Sequence, residues 1–306
     1  MGTLLVIVGP TGVGKTELAL RVAERFGCPI VNADSRQIYR EIPIGTAAPT
    51  AEEQARAKHY FVGTHSLTED YNAGQYERDA VALLNELFQS HEVVVLTGGS
   101  MMYIDAVCQG LDEIPTTDPQ LRAELQAEYE QKGLAWLQSM VEWLDPEYYR
   151  SVDRLNAKRL LHCYEVCRTT GRTYSELRKG LKQERPWRTL KIGLEREREN
   201  LYERINRRVT LMMDAGLEEE ARAVYDLRHL NSLQTVGYRE LFRYFDGEWS
   251  REEAIRMIQQ NSRHYAKRQL TWWRRDKDID WLDASQPAEK MLEAIEEQLK
   301  TINLDQ

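Results

Sequence analysis

Long apolar runs are scarce in this chain of 306 residues. The first segment, MGTLLVIVGP, contains an apolar run that is too short to span a membrane, and it lacks the basic leader of a signal peptide. No other segment approaches the length of a membrane span. We therefore expect no membrane association and a cytoplasmic location.

Cysteine is also sparse, since the chain has four cysteines and none of them forms a CxxC pair. Cys163 and Cys167 are four residues apart in LLHCYEVC, which puts both on one face of a helix. We interpret them as buried helix residues rather than metal ligands, and we expect no zinc site. Such cysteine usage is typical of a reducing compartment.

An excess of positive charge is missing as well. The formal net charge is -8 at pH 7, so the chain has no bulk affinity for nucleic acids or membranes. Any contact with nucleic acid must therefore come from a local basic patch. Apolar residues make up 42% of the chain, which is enough for a sizeable core.

Short apolar segments alternate with helical patterns in the first third of the chain. TLLVIVG, PIVNAD and EVVVLTGG are typical of buried strands, whereas TELALRVAERFG and YERDAVALLNELFQS have helical spacing. We predict an α/β fold, a P-loop NTPase-like parallel sheet flanked by helices, with a helical insertion domain. Ligands of such sheets bind beyond the carboxyl ends of the strands, so Gly9–Thr16, Asp34–Ser35 and Thr97–Ser100 should share one rim.

The sequence pattern changes near Pro115. TTDPQLRAELQAEYEQ starts a helix, with Asp118 as its cap and Pro119 in the first helical position. Helical patterns continue to TYSELRKG, TLKIGLE then resembles a strand that returns to the sheet, and long helices follow to the end. We therefore predict a catalytic core in residues 1–114 and 190–306 and a helical insertion domain in residues 115–189.

The segment GPTGVGKT matches the phosphate-loop pattern G-x-x-x-x-G-K-[ST] and lies between a predicted strand and a predicted helix. Glycines let several backbone N–H groups approach a phosphate, and the helix that follows adds its N-terminal field. Lys15 supplies a positive charge and Thr16 a hydroxyl for Mg²⁺. The motif indicates that a di- or triphosphate binds, but it does not indicate that a phosphate is transferred.

A carboxylate is missing where ATPases usually have one, at the end of an apolar strand. The best such strand here ends in Thr97-Gly98-Gly99, and the carboxylate instead follows the second strand, at Asp34. Asp34 could hold a metal through water, accept a proton from a substrate, or cap a helix. Several small-molecule kinases also have an Asp at this place, so a kinase remains open.

A basic segment, NSRHYAKRQLTWWRR, covers residues 261–275 and contains no acidic residue. At helical spacing Arg263, Lys267 and Arg274 can share a face that suits a phosphate backbone, and the interleaved rings of Tyr265 and the two tryptophans could stack on unpaired bases. The alternative is a helix whose tryptophans belong to the core and whose charges are solvated.

Taken together, these motifs resemble the tRNA dimethylallyltransferases, also called tRNA isopentenyltransferases. The resemblance rests on GPTGVGKTELA, NADSRQIYREIPIGTAAP, LTGGSMMYIDAV, RINRRV, TVGYREL and YAKRQLTWWRR, which occur in the family's order over nearly the whole chain. It implies an enzyme that transfers the dimethylallyl group of dimethylallyl diphosphate to N6 of adenosine 37, beside the tRNA anticodon, and releases diphosphate. The chain resembles the bacterial form, which has no C-terminal zinc finger.

The resemblance also implies roles for individual residues. Asp34 matches the family's general base and Arg208 its diphosphate-binding arginine, and Thr16, the Mg²⁺ ligand that the phosphate-loop pattern predicts, completes the catalytic set. The predicted diphosphate-binding residues are Gly9, Pro10, Thr11, Gly12, Val13, Gly14, Lys15 and Thr16.

The predicted contacts with the tRNA anticodon stem-loop fall into two groups. By resemblance they are Asp34, Ser35, Arg36, Gln37, Ser100, Arg122, Ala157, Lys158, Arg159, Leu160 and Leu161, and the basic segment adds Arg263, Lys267 and Arg268. The chain departs from the family at three of these or neighbouring positions. Ser100 stands where Thr is usual, Lys158 where Gln is common, and His162 where Arg is frequent.

Three other functions fit parts of the sequence. A P-loop kinase of a small metabolite would turn over a nucleoside triphosphate without tRNA. An adenine-nucleotide isopentenyltransferase would need neither the basic helix nor the large insertion. A non-catalytic RNA-binding module with a decayed phosphate loop is disfavoured by the intact Lys15, Thr16 and Asp34.

Overall fold

The structure, a computed structural model, describes residues 1–180 and 182–304. By its internal contacts the chain forms two units, a core unit of Met1–Cys108 and Glu184–Gln306 and a helical unit of Gln109–Gln183. Both ends of the helical unit lie six residues before the positions 115 and 189 expected from the sequence. Within the described residues, no helix is both long and apolar enough to cross a membrane.

The core unit is built on a parallel sheet, which confirms the predicted α/β class. In the described residues the sheet has six strands in the order β3-β2-β4-β1-β5-β6, and every neighbouring pair runs parallel. The strands are β1 (Thr3–Val8), β2 (Ile30–Asn32), β3 (His59–Tyr60), β4 (Val93–Thr97), β5 (Arg188–Glu195) and β6 (Ile279–Asp283).

Two strands were missed by the sequence analysis. The expectation that only helices follow the returning strand is wrong, because β6 pairs with β5 at the edge of the sheet. Its sequence, IDWLD, is short and alternates with acidic residues, so it lacks the apolar run that marked the central strands. The two-residue β3 at the other edge is too short to give any pattern.

Helices cover both faces of the sheet, and in the described residues of the helical unit all the regular structure is helical. Two short 3₁₀ helices, Tyr225–Leu227 and Asn231–Leu233, add to them. The α-helices are α1 (Lys15–Phe26), α2 (Pro43–Thr46), α3 (Ala51–Arg56), α4 (Ala73–Leu87), α5 (Met101–Gln109), α6 (Pro119–Leu144), α7 (Pro146–Ser151), α8 (Ala157–Thr170), α9 (Tyr174–Leu177), α10 (Arg198–Asp214), α11 (Leu217–Ala223), α12 (Tyr238–Phe245), α13 (Arg251–Trp273) and α14 (Ala288–Leu304).

The central strand β1 is buried along its whole length, and its side chains alternate between two cores. Leu5 and Ile7 pack with α1 and α14 on one face, while Leu4, Val6 and Val8 pack with α4 and α5 on the other. Each such apolar side chain contributes about 1.5–3 kcal/mol to stability when fully buried. The two cores hold the carboxyl end of β1, and the loop that follows it, in a rigid frame.

The helical unit has its own apolar core, which includes Leu137, Val141 and both cysteines of α8. Cys163 and Cys167 are buried and unbridged, as predicted. Their sulfur atoms and a carboxylate oxygen of Asp145 lie within 4.8 Å of one another. That carboxylate already accepts hydrogen bonds from the backbone N–H groups of Tyr148 and Ser175 and from the Ser175 hydroxyl, which accounts for its burial without a metal.

The turn after β4 packs tightly against the end of β2, which generates a prediction about Gly98. A Cβ atom there would lie 2.2 Å from the backbone carbon and oxygen of Ala33, and backbone atoms cannot yield as a flexible side chain can. We expect Gly98→Ala to lower the free energy of unfolding by roughly 1–3 kcal/mol, measured by urea denaturation.

Gly74→Ala is the matched control for this change. Gly74 lies in the first turn of α4, and the closest atom to its added Cβ is a side-chain oxygen at 3.4 Å. The added methyl group should leave stability unchanged or raise it by up to about 1 kcal/mol. Equal stability of the two variants would contradict the close packing at Gly98.

Candidate active site

Three turns meet at the carboxyl ends of β1, β2 and β4, on the rim expected from the sequence. The backbone N–H of Ser100 donates to the Ala33 carbonyl, and that of Ala33 donates to the Thr97 carbonyl. The Thr97 hydroxyl donates to the Ile7 carbonyl at 2.9 Å. Thr97 therefore ties two strand ends together at the position where an ATPase usually has a carboxylate.

The phosphate loop joins β1 to α1 through three glycines with positive φ. Gly9, Gly12 and Gly14 have φ angles of 143°, 80° and 121°, which other residues rarely adopt. Val13 is fully buried and anchors the loop to the core. No side chain caps α1, so its first N–H groups point along the helix axis toward the rim, where an anion is favoured.

Lys15 is partly buried inside this loop. Its Nζ atom donates hydrogen bonds to the carbonyls of Gly9 at 2.9 Å and Pro10 at 3.0 Å. The pKa of Lys15 is lowered to about 7, mainly by burial and also by the positive charge of Arg208, and the Asp34 carboxylate partly opposes both effects. A bound anion would favour the charged ammonium.

Two arginines of α10 contact the loop from the other side. Arg208 donates from Nη1 to the Thr11 hydroxyl at 3.1 Å, and Arg204 donates from Nε to the Gly12 carbonyl at 2.8 Å. Burial lowers the pKa of Arg208, while the charge of Asp34 raises it. The structure thus brings Lys15, Arg208 and Asp34 into one electrostatic cluster. Arg204 escaped the sequence analysis, although it precedes Arg208 by one helical turn.

Asp34 lies in the turn that follows β2. Its Oδ1 atom accepts the backbone N–H groups of Arg36 at 2.9 Å and Gln37 at 3.4 Å. These bonds fix a turn and not a helix start, because the next helix along the chain is α2, so Asp34 is not the helix cap considered from the sequence. Its Oδ2 atom faces Gly99, where an added Cβ would lie only 2.6 Å away. A carboxylate with one oxygen fixed by backbone donors and the other directed into the rim can accept a proton from a bound group.

Several of the polar residues predicted to contact tRNA also bond within the protein. The Ser100 hydroxyl accepts the backbone N–H of Ser35 at 2.8 Å and donates to the Ser35 hydroxyl at 2.9 Å. The Gln37 amide donates to the carbonyls of Thr46 and Ala47 at the end of α2. These bonds order the turn around Asp34.

The basic helix α13 divides into a buried face and an exposed edge. Lys267 and Arg268 are exposed, as a phosphate-binding surface requires. Arg263 is partly buried, donates to Oδ1 of Asn206 at 2.5 Å and lies over the Tyr202 ring. Arg263 therefore helps α13 to pack on α10 and is not part of the exposed edge.

Of the two tryptophans of α13, Trp273 is a core residue and Trp272 is partly buried, which favours core packing over stacking on bases. Trp273 is 2% exposed and packs in the core beneath α4 and α5. Trp272 packs against the same core, and its Nε1 donates to Asp105 Oδ2 at 2.9 Å. Burial of the large apolar surface of these rings stabilises the fold more than leaving them exposed would, as the alternative interpretation of the segment proposed.

Two other residues of α13 reach the rim: Tyr265, which the sequence analysis considered only as a base-stacking ring, and Gln269, which it missed. The Tyr265 hydroxyl donates to the Gly99 carbonyl at 2.7 Å. Gln269 donates to the same carbonyl at 2.8 Å and accepts the Thr11 backbone N–H at 2.8 Å. The Thr11 amide, predicted to bind diphosphate, is therefore committed to Gln269. The only sequence signal was that Tyr265 and Gln269 are four residues apart within a helical pattern.

In the helical unit, the predicted tRNA contacts differ in exposure. Lys158 and Arg159 are exposed on the first turn of α8, and Arg122 is exposed beside the buried Glu165 at 3.4 Å. Ala157 and Leu161 are partly buried. Leu160 is 0% exposed and its side chain packs in the core of this unit, so a contact of this residue with tRNA, which stays a prediction, would have to use its backbone.

Comparison with known proteins gives consistent matches. A model of the family described as IPP transferase matches residues 37–276. The chain is 57% identical over 289 residues to tRNA dimethylallyltransferase 1 of Phocaeicola vulgatus, covering 94% of this chain and 96% of that protein. It is 56% identical to tRNA dimethylallyltransferase 1 of Bacteroides thetaiotaomicron, covering 94% of each. The crystal structure of tRNA isopentenylpyrophosphate transferase from Bacillus halodurans superposes with a TM-score of 0.72 at 33% identity, covering 98% of this chain and 96% of that one.

The charge cluster predicts opposite effects of two substitutions on Lys15. Arg208→Gln should raise the pKa of Lys15 above about 7, because a neighbouring positive charge is removed, whereas Asp34→Asn should lower it, because a favourable negative charge is lost. NMR titration of lysines labelled at Cε measures both. The exposed Arg207 on the same helix offers the control Arg207→Gln. A shift of the same sign in the Arg208 and Asp34 variants would refute the cluster.

Proposed function

The chain belongs to the IPP transferase family, and from this premise and the geometry of the rim we propose that it transfers the dimethylallyl group of dimethylallyl diphosphate to N6 of adenosine 37 in tRNA, releasing diphosphate. The observation that carries the proposal is the meeting of a phosphate loop, Arg208 and the Asp34 carboxylate at one rim, with Thr97 in the usual place of an ATPase carboxylate. The protein is a prenyltransferase, and its diphosphate is a leaving group rather than an energy source.

Departure of the diphosphate places negative charge on its oxygens as the bond to the allylic carbon breaks. The amides at the start of α1, the Lys15 ammonium and the Arg208 guanidinium surround the position for this group. Contacts that strengthen as this charge develops lower the barrier, and the loss of one costs on the order of 3 kcal/mol at the transition state. The partial burial of both cations increases their effect, because less water screens them.

The attacking N6 atom of adenine is a poor nucleophile, because its lone pair is delocalised into the ring. A base that takes the N6 proton as the C–N bond forms therefore assists the reaction. We assign this role to Asp34, whose Oδ2 is directed into the rim beside Gly99. The adenine has to leave its stack to reach the rim, since stacking hides the atoms to be modified.

The donor set near the loop fits Mg²⁺. Thr16 is exposed at the first turn of α1, and a hydroxyl beside a diphosphate is a ligand that Mg²⁺ accepts while it keeps several waters. When bound, the ion would neutralise charge on the leaving diphosphate. Thr16 would hold it, as the phosphate-loop pattern predicts.

For tRNA binding we propose exposed cations on each unit. Lys267 and Arg268 offer charges to the RNA backbone on α13, and Lys158, Arg159 and Arg122 do so in the helical unit. Local patches of this kind bring a polyanion to a chain whose net charge is -8. The RNA-modifying activity also suggests a cytoplasmic site of action.

The test of the activity combines the protein, Mg²⁺, labelled dimethylallyl diphosphate and unmodified tRNA with adenosine at position 37. Parallel reactions replace tRNA by AMP, or supply ATP alone. Label in tRNA that disappears when this adenosine is changed to guanosine would support the proposal. Label in AMP alone would indicate a nucleotide prenyltransferase, and ATP turnover without prenyl transfer would indicate a kinase.

Substitution of the proposed base should separate turnover from binding. Asp34→Asn keeps an oxygen for the N–H groups of the turn but removes the basic carboxylate, so we expect kcat to fall about 10²–10⁴-fold. The Kd values for tRNA and dimethylallyl diphosphate should change far less. The exposed Asp70 supplies the control Asp70→Asn. Equal losses of binding and turnover would assign Asp34 a structural role instead.

Removal of one exposed cation should alter the salt dependence of tRNA binding. Arg268→Ala should weaken binding and lower the slope of log K against log salt by about 0.7, the value for one phosphate contact to a single strand. Filter binding across a salt series measures the slope. Lys300→Ala removes an exposed cation from α14 and should leave it unchanged. An unaltered slope for Arg268→Ala would show that the edge of α13 does not contact phosphates.

A further inference from the structure

Gln269 is a fully buried polar residue whose side chain joins two turns of the rim. It is 0% exposed, although it lies one residue after the exposed Arg268. Its Oε1 accepts the Thr11 backbone N–H in the phosphate loop, and its Nε2 donates to the Gly99 carbonyl in the turn after β4, each at 2.8 Å. The partner residues are separated from it by 258 and 170 positions in the chain.

The buried amide of Gln269 is stable only while both of its hydrogen bonds are formed. A buried amide that loses a partner costs about 1–3 kcal/mol, so the position tolerates Gln only while both turns stay where they are. Movement of either turn by about an ångström would break one bond. Gln269 therefore acts as a brace that opposes relative movement of the two turns.

Both turns carry groups of the proposed reaction. The phosphate loop also receives Arg208 at Thr11, and the Gly99 turn faces Oδ2 of Asp34. The separation of these turns therefore relates the position of the diphosphate to that of the carboxylate. Transfer requires the allylic carbon and N6 to be aligned at about 3–3.5 Å.

We propose that Gln269 is a positioning residue that sets the distance between the diphosphate subsite and the general base. This proposal rests on the proposed function, since it assigns the two turns the substrates named above. Gln269 touches neither substrate and acts through Thr11 and Gly99. Tyr265 shares the Gly99 carbonyl but does not bond to the phosphate loop, so its contribution is to one turn only.

The main variant is Gln269→Met, which keeps length and volume but removes both hydrogen bonds. We expect kcat to fall about 10- to 100-fold, as misalignment of reacting groups does, while the Kd values for dimethylallyl diphosphate and tRNA change little. Gln259→Met is the matched control, because Gln259 lies on the same helix and donates to the Asn206 carbonyl on α10 instead.

A conservative variant tests the hydrogen-bond pattern itself. A neutral carboxyl in Gln269→Glu offers one O–H donor and one acceptor, as the amide does, whereas the ionised form cannot donate to Gly99. The activity of this variant relative to wild type should therefore be highest at the lowest pH tested. Low relative activity at every pH from about 5.5 to 8 would contradict the proposal.

Hydrogen exchange supplies a readout that needs no turnover, so it tests the brace even where the proposed activity is absent. Tyr265→Phe should speed hydrogen exchange only in residues 97–100. Gln269→Met should speed exchange both in residues 97–100 and in residues 9–16. Gln259→Met should speed exchange in neither segment. Unchanged exchange in both segments, or faster exchange throughout the fold, would overturn the brace. A rise in the tRNA Kd with kcat unchanged would make Gln269 a binding residue instead. Failure of wild type to prenylate tRNA refutes the proposed function separately.

Discussion

The parallel register of β1, β4 and β2 is the constraint on which the site depends. Thr97 pairs with Ile7 on one side and with Asn32 on the other, so three strand ends stop in one row. Each is followed at once by a turn that carries a functional group: the phosphate loop, Asp34, or Gly99. Because side chains alternate between faces, a slip of one residue would turn the flanking side chains to the opposite face and misplace the turn.

Within this frame the site is an electrostatic arrangement of two cations and one carboxylate. Lys15 and Arg208 repel one another, and Asp34 interacts favourably with both. In the free protein, the repulsion between the two cations makes it less favourable for both to be charged. A bound diphosphate brings the negative charge that balances them, so the same two cations stabilise the ligand. Its departure as an anion is the step that these cations favour.

The helix α13 shows how one element serves two purposes. Tyr265 and Gln269, four residues apart, share the face that reaches the Gly99 carbonyl, and Trp273 continues that face into the core. Lys267 and Arg268 lie on the exposed edge. The helix can therefore offer charge to an RNA while its buried face holds the rim, and this explains why aromatic and basic residues alternate in its sequence.

Local spacing by itself determined the phosphate loop, the strands β1, β2, β4 and β5, and the helical segments after Pro115, because each is a pattern of neighbouring residues with a short physical period. Only the tertiary structure decided the rest. Burial of Trp273 and Leu160, the edge strand β6, and the contacts of Arg204 and Gln269 all depend on segments far apart in the chain. A glutamine in a helical pattern has no local signal for a bond to Thr11, 258 residues away, since that contact exists only once the sheet has brought the two together.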